Sequence, residues 1–69
     1  MRLNGTAMRA IREAQKVSLR RLADATGLDR GYLSRIERGQ VREPADRRVL
    51  SIAEALGVSP AAITYEETT

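Results

Sequence analysis

Arginine dominates the chemistry available to this chain. Eleven of its twelve basic residues are Arg and the twelfth is Lys16, and a planar guanidinium fork suits phosphates and the O6/N7 edge of guanine. The charge is uneven. Residues 1–42 hold ten Arg and Lys against four Asp and Glu, whereas residues 43–69 hold two against five, so the first half is the one that faces an anionic partner. Phe and Trp are absent and Tyr occurs twice, so the aromatic platforms on which single-strand binders stack bases are missing. Duplex nucleic acid is the better fit. Other chemistries lack their residues: with no Cys and no His, there is no thiolate, disulfide or Cys-based zinc site, no Ser/His/Asp triad, and neither the commonest general base nor the commonest metal ligand. No Gly-rich phosphate loop occurs, and Glu66 and Glu67 lie in the tail, where nothing positions them for acid–base work. The expectation is a protein that is not an enzyme and uses neither metal nor cofactor.

A chain of 69 residues has room for one domain, since separate domains rarely run much below ~50 residues each. We place it at residues 1–64, with 65–69 a frayed tail. Apolar runs reach about three residues, far short of the ~20 that span a bilayer, and no signal-peptide stretch opens the chain. A cytoplasmic protein without membrane contact is expected. The lack of a linker favours a whole protein over a fragment.

The elements that must position the arginines are punctuated in one recurring way: an apolar residue, then Asn, Ser or Asp, then three residues, then another apolar one. The instances are Leu3-Asn4 with Met8, Val17-Ser18 with Leu22, Leu28-Asp29 with Leu33, and Val58-Ser59 with Ile63. Each predicts a side-chain N-cap and a hydrophobic staple, and Pro60 suits a first helical position. Val49, Ile52, Ala53 and Leu56 share one helical face. Gly27, Gly39 and Gly57 stand where left-handed C-caps belong. The spacing predicts five helices, near 5–15, 19–26, 30–38, 46–56 and 60–64, with no strand: an all-α domain. Only Gly27, Leu28 and Asp29 separate the second and third helices, which is helix-turn-helix geometry. Leu22, Ala23, Leu28, Leu33 and Ile36 supply the inner face, and small Ala23 permits the close crossing.

The run VSLRRLADATGLDRGYLSRIERG, Val17 to Gly39, resembles the helix-turn-helix domain of the Cro and lambda-repressor family, the XRE-like regulators. Met8, Arg9, Ile11 and Arg12 look like that family's first helix, and Pro44 with LSIAEALGVSPAAI, Leu50 to Ile63, like its fourth and fifth. The resemblance implies a compact five-helix domain whose third helix enters the DNA major groove. By position, Arg30, Gly31, Ser34 and Arg35 would face base edges, with Arg30 and Arg35 as bidentate guanine readers. Ser18, Arg38, Gln40 and Arg42, with helix N-terminal amides, would hold phosphates; Arg20, Arg21 and the Tyr32 hydroxyl are further candidates. Tyr32 is otherwise expected to pack between helices. The family often joins its first and third helices by an ion pair at the positions of Arg12 and Glu37, a structural role.

Three features depart from the pattern or strain it. Leu19 stands where many members have Gln, so a polar contact is lost or reassigned. Lys16 replaces the Gly that commonly ends the first helix, which demands another cap or a strained residue. Gly31 sits inside a helix, where it costs about 1 kcal/mol relative to Ala, in exchange for close approach to DNA or through simple tolerance near a helix start.

The resemblance implies a regulator of transcription, a bacterial or phage repressor that covers a palindromic operator. One recognition helix reads few base pairs, so a homodimer is expected, weak and formed mainly on DNA. Val58, Ser59, Pro60, Ile63 and Tyr65 are the candidates for its contact, with covering the end of the fifth helix the alternative role for Ile63 and Tyr65. The competing function is a protein-binding module of the same fold, an antitoxin or adaptor. The bland reading of Arg30 and Arg35 is a solvated helix face, with Arg30 paired to Asp29 or Ser34; Arg47 and Arg48 read that way more readily still.

Overall fold

Three of the four anticipated capping side chains close their helices. In the computed structural model, which describes residues 1–65, α1 runs Gly5–Ala14, α2 Leu19–Thr26, α3 Arg30–Glu37 and α4 Asp46–Leu56. Asn4 Oδ1 accepts the Ala7 amide at 3.1 Å, Ser18 Oγ the Arg21 amide at 3.0 Å, and Asp29 Oδ2 the Tyr32 amide at 3.1 Å. Each satisfies an amide that has no partner within its own helix. The start of α4 differs. Its N-cap is Ala45, without a side-chain bond, and Asp46 in the first turn pairs with the chain's terminal ammonium. Residues 66–69, most of the tail expected to fray, lie outside the described residues.

Among the described residues the fold has four α-helices rather than five. At the fifth expected position Pro60–Ile63 forms a single 3-10 turn, and Ser59 makes no side-chain cap bond. Long-range backbone pairing accounts for the difference. The Ile63 carbonyl accepts the Asn4 amide at 2.7 Å, and the Tyr65 amide donates to the Arg2 carbonyl at 3.0 Å, so the groups that would extend a helix are taken by the N-terminal segment. Leu3 and Thr64 form an isolated antiparallel bridge there.

Helix ends follow the expected chemistry at Gly27, Gly39 and Gly57, all with positive φ. Gly27, at φ 73°, accomplishes the α2–α3 turn and returns its amide to the Ala23 carbonyl. The end of α1 is strained. Lys16 adopts φ 57°, a left-handed conformation in which a side chain costs roughly 1–2 kcal/mol.

One core cluster joins these elements. Leu3, Met8, Leu22, Leu33, Ile36, Val49, Ile52, Ala53, Leu56 and Ile63 are all buried, and Leu19, Ala23, Leu28 and Tyr32 pack at its edge. Leu19 is thus an apolar flank of the core. Ile63 is fully buried. Of its two expected roles, packing within the domain and a subunit contact, the burial fits the first: the domain's own core covers it, and it has no surface to offer a partner.

Two further contacts fix α1. A Cβ on Gly5 would fall 2.2 Å from the Ile36 carbonyl oxygen, so the α1 start lies directly on the end of α3 and only glycine fits. At the other end the Gln15 side-chain amide donates to the Leu56 carbonyl at 2.7 Å. No helix among the described residues is long and apolar enough to cross a membrane.

Candidate nucleic-acid interface

The third helix is anchored on one side and open on the other. Leu33 and Ile36 are buried, while Arg30, Gly31, Arg35 and Arg38 are exposed and Ser34 half-buried. At about 100° per residue, Gly31, Ser34, Arg35 and Arg38 fall on the face opposite those core residues, and Arg30 stands at its flank, at the helix start. The Asp29 carboxylate is engaged by the Tyr32 amide, and Arg30 forms no ion pair among the described residues, so the expected alternative pairing of Arg30 with Asp29 does not occur. The ion pairs that do form join the terminal ammonium to Asp46, Arg9 to Glu13 and Arg12 to Glu37. Arg20, Arg21, Arg30, Arg35, Arg38 and Arg42 therefore stand exposed without a carboxylate partner among the described residues.

Glu37 is kept off this surface by Arg12. Arg12 Nε donates to Glu37 Oε2 at 2.7 Å and Nη2 to Oε1 at 3.1 Å, while Nη1 donates to the Val17 carbonyl at 2.7 Å. The side chains are 12% and 5% exposed. The hydrogen bonds that Arg12 donates to Glu37 hold its guanidinium above its ordinary pKa, against the opposing effect of burial. The pair thus ties α1 to the end of α3 and to the loop entering α2.

Tyr32 carries more than its place at the core edge. The Arg35 guanidinium lies 5.9 Å from its ring centroid and the Arg48 guanidinium 5.1 Å, both within cation–π range. Arg48, which read as a solvated helix face, was missed. It stands sixteen residues from Tyr32 on another helix, and no local pattern signals the contact. Gly31 also gains a reason within the chain: a Cβ there would lie 2.9 Å from the capping Asp29 Oδ2.

The remaining expected contacts sit around α3. Ser18 caps α2 through its oxygen, leaving its O–H free to donate. Gln40 and Arg42 are exposed in the loop after α3, which is tied down where the Arg42 carbonyl accepts the Leu3 amide at 2.9 Å. Of the candidates for a subunit contact, Ser59 is exposed, Val58 and Pro60 are half-buried and Tyr65 is 50% exposed.

This arrangement of a capped α2, a glycine turn and an α3 with one open face coincides with a known family. A family model described as helix-turn-helix matches residues 8–63. The chain belongs to the XRE-type helix-turn-helix family. A transcriptional regulator of that type from Mycobacterium tuberculosis, itself uncharacterized, is 44% identical over 55 residues, covering 80% of this chain. The chain spans only 39% of that relative's length. Among solved structures, the restriction-modification controller protein C.AhdI of Aeromonas hydrophila superposes with a TM-score of 0.78 at 38% identity, covering 84% of this chain and 86% of its own. The P22 c2 repressor protein, solved with a synthetic operator, superposes at 0.81 with 28% identity, covering 93% of this chain and 96% of its own. The Mycobacterium tuberculosis relative is described as a transcriptional regulator and the P22 c2 protein as a repressor.

Proposed function

We propose that the chain is a sequence-specific double-stranded DNA-binding regulator, a bacterial or phage repressor acting in the cytoplasm by occupying a palindromic operator. The observation that carries this reading is the set of exposed arginines on and around α3 without a carboxylate partner among the described residues. Unpaired guanidinium groups exposed side by side repel one another, and a polyanion relieves that repulsion while releasing its own counterions. In this reading α3 lies in the major groove, Arg30 and Arg35 make bidentate contacts to guanine, and Gly31 and Ser34 allow close approach between them. Ser18, Arg20, Arg21, Tyr32, Arg38, Gln40 and Arg42 hold the flanking phosphates and fix register.

Two copies on half-sites about 34–36 Å apart double the number of bases read. With Ile63 buried, the contact between them falls to Val58, Ser59, Pro60 and Tyr65, a small surface that suits a weak dimer formed on DNA. The test is selection of duplexes from a random library at physiological salt. A two-fold symmetric motif with half-site centres about one helical turn apart supports the reading. Recovery of no motif overturns it and favours a module that acts through a protein partner.

A further inference from the structure

Three arginines from separate segments converge on one cleft. The cleft, about 450 Å³, lies between the start of α1 and the end of α3, with Arg2, Arg38 and Arg42 on its walls and Tyr65 at its edge. Arg2 belongs to none of the groups assigned above. Its carbonyl accepts the Tyr65 amide at 3.0 Å and its guanidinium stacks 5.1 Å from the Tyr65 ring centroid, so backbone and side chain are both held. Arg42 is fixed beside it through the hydrogen bond from the Leu3 amide to the Arg42 carbonyl. Glu37, the carboxylate lining the cleft, is already neutralised by Arg12 and is 5% exposed. None of the three guanidinium groups has a carboxylate partner among the described residues.

We infer that this cleft is a phosphate-binding site, taking a phosphate monoester or diester between Arg2, Arg38 and Arg42. Three like charges held around a concave surface focus positive potential there, and guanidinium forks match phosphate oxygens bidentately. The volume lies within the roughly 300–1,000 Å³ of small-ligand sites, enough for a phosphate carried on a sugar. Arg38 lies three and four residues beyond Arg35 and Ser34, so it shares their helix face, and its wall of the cleft continues the proposed reading surface. The phosphate is therefore either one of the DNA backbone, in which case the inference rests on the function proposed above, or that of a free phosphorylated small molecule.

The test uses the full isotope-labelled chain and inorganic phosphate, titrated against chloride at constant ionic strength while the amide signals of Gly5, Thr6 and Gly39 are followed. Saturating shifts are expected, lost in Arg2→Ala and kept in Arg9→Ala, whose arginine lies outside the cleft and pairs with Glu13. Arg2→Lys, which keeps the charge, should retain part of the response and shows that the loss is not one of folding. Shifts that fail to saturate, or that are the same in Arg2→Ala, overturn the site. Salt-dependent binding of duplex DNA then identifies the source. A slope of log K against log salt shallower by about 1 in Arg2→Ala assigns a backbone phosphate; an unchanged slope beside a saturating phosphate titration assigns a free phosphorylated ligand. Should the unaltered chain bind no duplex while phosphate still saturates, the DNA reading fails and the site stands.

Discussion

At the scale of single residues, the Arg12–Glu37 pair is the contact with the largest expected consequence. Both side chains are largely withdrawn from water and three hydrogen bonds converge on the arginine, so removing one charge strands the other. Glu37→Gln should lower unfolding stability by about 3–5 kcal/mol, whereas the double change Arg12→Met with Glu37→Leu should cost much less; urea unfolding of both variants measures the difference. A loss confined to the double variant would mean that the packing of the stems, and not the stranded charge, dominates. The pair was legible in the sequence only through the family resemblance. Its third hydrogen bond, to the Val17 carbonyl, was not legible, nor were the Gln15–Leu56 bond and the Arg48–Tyr32 stack. Each joins positions whose proximity depends on the finished fold, and nothing in the spacing of residues on one helix encodes it. The row of exposed Arg30, Arg35 and Arg38 with half-buried Ser34 was readable for the opposite reason: it follows from local helical periodicity, marked by the buried Leu33 and Ile36.

At the scale of elements, the N-cap residues Asn4, Ser18 and Asp29 read correctly because capping is decided within three or four residues. Ser59 did not cap a helix, since the Asn4 and Tyr65 amides claim and anchor the backbone around it from outside the segment. The same locality made the strain at Lys16 foreseeable. Its φ of 57° is one that glycine adopts without steric penalty, so Lys16→Gly should stabilise the domain by about 0.5–1 kcal/mol once the greater freedom of unfolded glycine is subtracted. Thermal unfolding checks this, and a lower Tm would show that the lysine side chain makes a compensating contact. Gly5 is a different case. Its requirement comes from the approach of α1 to the Ile36 carbonyl, which no reading of α1 alone reveals.

For the whole molecule, one core reaches from Leu3 to Ile63, so positions near the chain's end contribute to stability before they contribute to assembly. Ile63→Val should cost about 0.5–1.5 kcal/mol by loss of a buried methylene and leave the oligomeric state on DNA unchanged, as followed by sedimentation with a duplex. A loss of the dimer in that variant would move Ile63 back into the contact. The arrangement of the arginines allows the central claim to be divided into roles. Arg35 is assigned to a base edge and Arg42 to a phosphate, and the two assignments make different demands on sequence and salt. Selecting duplexes with the unaltered chain, Arg35→Ala and Arg42→Ala at several salt concentrations is the most direct test. The account predicts that Arg35→Ala relaxes the motif at one position per half-site, worth about 1–3 kcal/mol of discrimination. Arg42→Ala should keep the motif, weaken binding uniformly and make the salt slope shallower by about 1. Equal binding by all three proteins with no motif at physiological salt would contradict it.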